Sequence, residues 1–186
     1  MVARSLTRRR RRNALLVAAA VAGAVAVAVA AQALAPGQPV ASTAAAPTTL
    51  TIAGDVATPL TLGAAELKAL PRTKVEVKDE SRVVTYEGVL VGEILKKAGV
   101  PLGENLRGNA VAAYVTASAA DGYQVVFSLA ELDNAFTSSD VLVADTIDGK
   151  PLFAYQGPWR IVAPKDLRGA RSIRMLERIE VVRLRK

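Results

Sequence analysis

A chain of 186 residues, 51% hydrophobic and 22% charged, has room for one domain and a targeting segment. The formal charge of +7 first suggests a polyanionic partner, yet Arg4 and Arg8–Arg12 supply six of the positives and no acid precedes Asp55. Without them 18 basic residues face 17 acidic ones, so the charge does not describe a nucleic-acid binder. Cysteine and histidine are both absent. That excludes a disulfide, a thiolate nucleophile, an imidazole base, and any thiolate or imidazole metal ligand.

The arginine-rich start is followed by an apolar run from Ala14 to Ala31 and then by small residues, the layout of an export signal. Ala31-Gln32-Ala33 offers a cleavage site, and Thr7-Arg8-Arg9 a twin-arginine start. A run of about 20 apolar residues also suffices to span a bilayer. A cleaved signal and an uncleaved anchor over residues 14–35 therefore both stand. Residues 1–35 are assigned to this segment, and 36–49, rich in Ala, Pro, Ser and Thr without periodicity, to a flexible linker. Residues 50–186 form the domain, which is expected outside the cytoplasm, in the periplasm or another extracytoplasmic space. Membrane contact would run through the N-terminal segment.

Within the domain, LTIAGDV predicts a strand closed by a Gly54-Asp55 turn. Leu62–Leu70 has apolar residues at helical spacing and stops before Pro71. Thr73–Val77 and Arg82–Tyr86 alternate around Lys78–Ser81, as a hairpin does. Val91, Ile94, Leu95 and Ala98 share one helical face, and Gly99 with Pro101 ends that helix. Ala110–Ala117 and Tyr123–Phe127 read as strands paired about Asp121-Gly122. Ser128, with Glu131 three residues on, reads as the cap of a short helix.

Val141–Ala144 is a further strand, Asp148-Gly149 a tight turn, and Trp159–Ala163 and Ile173–Leu184 the closing strands. The sum is an α+β domain, mostly short strands in mixed sheets with small peripheral helices. Asp145 and Asp148 have the spacing of an oxygen-ligand pair, but turn chemistry accounts for Asp148. From Arg160 onward nine basic residues stand against three acids, whereas Pro36–Trp159 holds nine basic residues and 14 acids. A localised positive face of this kind suits an oxyanion, since guanidinium groups bind planar anions bidentately. The same arginines could equally be solvated strand positions, some paired with Glu177 or Glu180. Tyr155 and Trp159 flank Gly157-Pro158, where they line a pocket, stack on a flat ring, or simply fill the core.

Several elements resemble, in order, the molybdopterin-binding domain of the sulfite-oxidase family. They are YEGVLVGEILKKAGV (Tyr86–Val100), ADGYQVVFSLAEL (Ala120–Leu132), DVLVADTIDGKPL (Asp140–Leu152), GPWRIVAP (Gly157–Pro164) and GARSIRMLERIEV (Gly169–Val181). The first corresponds to the family's aromatic-x-Gly-Val element and following helix, the second to its Asp-Gly-Tyr hairpin, the last to its basic strand. The resemblance implies the sulfite-oxidase-like fold, molybdopterin as the cofactor, and basic residues of the last strands near a cofactor phosphate or substrate. On that ground Arg160, Arg171, Arg174 and Tyr155 are the candidate cofactor-binding residues.

Two departures separate this chain from catalytic members. Those carry a molybdenum-ligating Cys before the aromatic-x-Gly-Val element, where this chain has only KVEVKDESRVVTYEG (Lys74–Gly88). They also tend to have His-Gly before the Pro-x-Arg strand, where this chain has Tyr155-Gln156-Gly157. No catalytic residue and no metal ligand is assigned. One reading is an oxidoreductase-like domain with a non-standard or lost redox centre, served by a redox or membrane partner protein. The other is a non-catalytic module for a small anion, a pterin, a cell-envelope component or a partner protein.

Overall fold

Strand β1 (Leu50–Gly54) brings the two ends of the domain together, because it runs parallel to the last strand, β10 (Leu176–Arg183). Ile52 sits opposite Ile179, and both are fully buried. A computed structural model describes residues 48–79 and 82–184, so the segments assigned to export and most of the linker lie outside the described residues. The chain divides at residues 42 and 43, and everything described belongs to the second unit, Thr43–Lys186.

The first sheet has the order β2-β1-β10-β5-β6, with β2 at Leu60–Leu62, β5 at Ala113–Ala119 and β6 at Gln124–Ser128. All its pairings except β1–β10 are antiparallel. The second sheet runs β3 (Arg72–Asp79), β4 (Arg82–Leu90), β7 (Leu142–Ile147) and β8 (Lys150–Pro151), and β9 (Arg160–Val162) also pairs with β7. This is the expected α+β architecture of mixed sheets. The helices are short: α1 (Ala64–Lys68) and α2 (Val91–Lys97). None among the described residues is long and apolar enough to cross a membrane.

The α2 face predicted from spacing is buried throughout, with Val91, Ile94, Leu95 and Ala98 at 1% exposure or less. Gly99 ends it at φ +75, a left-handed conformation that glycine adopts without a Cβ penalty. Those side chains join Leu50, Ile52, Phe127, Trp159 and Ile179 in the main core between the sheets. The unbroken apolar run at Val141–Ala144 has a separate cause. Val141 and Val143 face the main core, while Leu142 and Ala144 face a second core with Val75, Val84, Tyr86 and Val162. A strand covered on both faces needs no polar alternation.

Gly88, the glycine of the aromatic-x-Gly-Val element, is fixed by close approach. A Cβ there would stand 2.0 Å from the Val143 carbonyl oxygen across the β4–β7 pairing. Tyr86, two residues earlier, projects from the same strand into the second core.

Four sequence expectations need correction, one being the closing strand expected over Ile173–Leu184, which begins at Leu176 after the left-handed Met175. The helix expected over Leu62–Leu70 is cut short because Leu62 pairs with Leu50 in β2, leaving Ala64–Lys68 helical. The strand expected from Ala110 starts at Ala113, after a 3-10 segment over Gly108–Ala112. Ser128 ends β6 and its Oγ accepts the Glu131 N–H at 3.2 Å, but Glu131 does not close a capping box with it. Its carboxylate reaches Arg171 instead.

Candidate functional site

One groove among the described residues has a volume of about 470 Å³, within the range of small-molecule sites. Three local devices build it. The β5–β6 turn supplies Asp121 and Tyr123, the 3-10 turn Gly169–Arg171 and its exit supply Ala170 and Ser172, and the Phe153–Gln156 turn supplies Tyr155. Asp121 Oδ1 accepts the Tyr123 N–H at 2.9 Å, a local Asx turn that sets the tip. The Tyr123 hydroxyl then donates to the Ala170 carbonyl at 3.2 Å, tying two walls together.

Arg174 enters this groove because of the backbone around it. Ile173 and Leu176 are buried at 3% and 1% exposure, while Met175 between them adopts φ +49. Two backbone hydrogen bonds hold that left-handed residue: its N–H donates to Gln156 O, and its carbonyl accepts the Ala120 N–H, each at 2.9 Å. The reversal leaves the exposed Arg174 on the groove side.

Its guanidinium carbon stands 5.8 Å from the Tyr155 ring centroid. Tyr155 in turn stacks on Phe153, with centroids 5.7 Å apart and planes 9° apart. Among the described residues Arg174 makes no hydrogen bond or ion pair, and it lines the groove.

Of the candidate residues named from the sequence, the groove brings together Arg174 and Tyr155. Arg171 and Arg160 are placed behind its walls. Arg171 donates through Nε and Nη2 to Asp166 at 2.8 and 2.6 Å, and through Nη2 pairs with Glu131 at 2.8 Å. Its guanidinium also lies 4.7 Å from the Phe127 ring centroid. Hydrogen bonding to Asp166, then to Glu131, raises its pKa above the ordinary guanidinium value. Two carboxylates neutralise it.

Arg160 donates from Nη1 to the Tyr86 hydroxyl at 3.0 Å and from Nη2 to the Ser172 carbonyl at 3.3 Å, so it braces a groove residue from inside. Trp159, at 2% exposure, is a core residue. Asp145 belongs to a different network, accepting two hydrogen bonds from Arg72 at 2.8 and 2.7 Å. Asp148, at φ +47 in its turn, accepts the Thr85 N–H at 2.9 Å.

Sequence reasoning missed Asp121 and Tyr123 as groove residues. Both sit in the Asp-Gly-Tyr stretch, but a 51% exposed tyrosine beside a turn carries no local sign of what it faces. It also treated Gln156 only as the replacement for a histidine. Its Nε2 donates to the Tyr155 hydroxyl at 3.1 Å, and its Oε1 is buried without a partner among the described residues. The groove aromatic therefore has a polar support beneath it.

The comparisons with known proteins agree with the geometry at the level of fold and family. The oxidoreductase molybdopterin-binding domain family matches residues 37–186. The chain belongs to that family, the molybdopterin-binding domain of the sulfite oxidases. Among solved structures it is similar to the sulfane dehydrogenase SoxCD from Paracoccus pantotrophus, with a TM-score of 0.56 at 20% identity. That match covers 72% of this chain and 37% of the other, so the chain spans little more than a third of that relative. No curated protein matches.

The family implies a molybdopterin, and the donor set here can be weighed against it. The interval that holds the metal-ligating thiolate in catalytic members is the β3–β4 hairpin, with no cysteine or histidine anywhere in the chain. Among the described residues no three acidic side chains gather as a metal site would require. The residues do not fit a thiolate-held molybdenum centre. What they offer is one cation on an aromatic stack, in a groove of ligand size.

Proposed function

We propose that this chain is an exported member of the molybdopterin-binding-domain family that works without the family's redox centre, as a binding module for a small anion in the Arg174 groove. One observation carries the reading: Arg174 lines the groove without a hydrogen bond or ion pair among the described residues, whereas neither cysteine nor histidine exists in the sequence. A guanidinium held over an aromatic face loses less freedom on binding an anion than one on a mobile arm.

An oxidoreductase role with molybdopterin held by non-protein ligands is the second reading, and family membership favours it. The two differ in what the fold depends on. If the domain is a module without the cofactor, full-length protein from a host unable to make molybdopterin melts at the same temperature as protein from a competent host. A lower melting temperature in the deficient host, recovered with the competent one, would overturn the proposal in favour of the second reading.

A further inference from the structure

We infer that the groove is selective for a small carboxylate carrying hydroxyl or amino groups, of the sugar-acid or hydroxy-acid class, over phosphate esters. The inference rests on the anion-module reading and sharpens it. Its basis is the balance of charge in the groove. Among the described residues Arg174 is the only cation lining it, and Asp121 lines it too. Family cofactors and phosphorylated ligands carry a dianion; one guanidinium facing one carboxylate is a poor counterpart for that.

A carboxylate matches Arg174 in both charge and shape. Its two oxygens accept two parallel N–H bonds from the planar guanidinium, and it brings one negative charge beside Asp121 where a phosphate ester brings two. Asp121 Oδ1 is occupied by the Tyr123 N–H, while Oδ2 makes no hydrogen bond among the described residues. That oxygen is an acceptor for a ligand hydroxyl or ammonium, and it repels a second ligand charge. The Tyr155 hydroxyl, which accepts from Gln156, adds a donor of its own. Acid at one end and hydroxyl or amine at the other is the pattern this lining recognises.

The test is calorimetric titration of the full-length chain in mild detergent with D-glucuronate, D-glucose and D-glucose 1-phosphate. D-glucuronate is expected to bind about tenfold or more tightly than either of the others, and Arg174→Ala to remove that binding. Asp121→Asn is expected to narrow the gap by admitting D-glucose 1-phosphate. Equal or tighter binding of D-glucose 1-phosphate to the unaltered protein, lost in Arg174→Ala, overturns the carboxylate assignment and leaves the anion module standing. Absence of any Arg174-dependent binding of either anion overturns both.

Discussion

The guanidinium of Arg174 rests 5.8 Å from the centroid of the Tyr155 ring, which also stacks on the ring of Phe153. Arg171, three residues earlier, is enclosed by Asp166 and Glu131. Two arginines of one basic segment thus have opposite tasks. One holds the groove wall and the other lines the groove itself.

Replacing each separates these tasks. Arg171→Ala leaves two carboxylates facing each other without their shared cation. It is expected to lower stability by about 1–3 kcal/mol, discounted from a fully buried pair because the side chains are partly solvated. Arg174→Ala breaks no hydrogen bond and removes only the exposed contact with Tyr155, so it is expected to change stability by less than about 1 kcal/mol. Urea unfolding followed by tryptophan fluorescence reads both, since Trp159 is the sole tryptophan and is buried. Equal losses from the two substitutions would contradict the division.

Tyr155→Ala tests the platform. Removing the ring takes away an exposed cation–π contact of about 0.5–1 kcal/mol and frees the arginine. Anion affinity is expected to fall about twofold to fivefold with little change in unfolding midpoint. Tyr155→Phe keeps the ring and is expected to retain the orienting effect, measured by the same titration.

Asp145 supplies a pH dependence. Burial pushes its carboxyl up, but hydrogen bonds from Arg72 and Thr146 and the charges of Arg72 and Lys68 outweigh that and hold it below the ordinary value. A carboxyl depressed in the folded state contributes stability above its unfolded pKa. That contribution fades as pH falls through the folded value. Stability is thus expected to drop as pH falls below about 4, and Asp145→Asn to be less stable at neutral pH with a flatter acid limb. Urea midpoints over that range check it; a variant with an unchanged acid limb would contradict the assignment.

Gly88→Ala should break the β4–β7 pairing, because its Cβ would meet backbone atoms of Val143 and Ala144 that cannot move aside. A loss of about 3 kcal/mol or failure to fold is expected, measured by urea unfolding or soluble yield. A stable variant would show that the strands separate more easily than their register suggests.

How much of this was legible beforehand varies with range. The α2 face, the Asp148-Gly149 turn and the β3–β4 hairpin were readable because their causes are local: helical spacing, turn chemistry and alternation. The end of the Leu62–Leu70 helix was not, since Leu62 is drawn into β2 by Leu50, twelve residues away. The arginines show the same limit more sharply. Arg160, Arg171 and Arg174 look alike in sequence, and they are distinguished by Tyr86 and Glu131, brought in by distant elements, and by Asp166, five residues from Arg171. Aromatic and basic residues could be named as candidates; which of them face the groove is decided by the left-handed Met175 and its long-range hydrogen bonds.

The central claim is that this scaffold holds no molybdenum centre of the family's kind. Molybdenum and fluorescent pterin content, measured together per chain on full-length protein exported from a cofactor-competent host, tests it most directly. The account predicts neither in stoichiometric amount. Molybdenum and pterin each present at one per chain would contradict it.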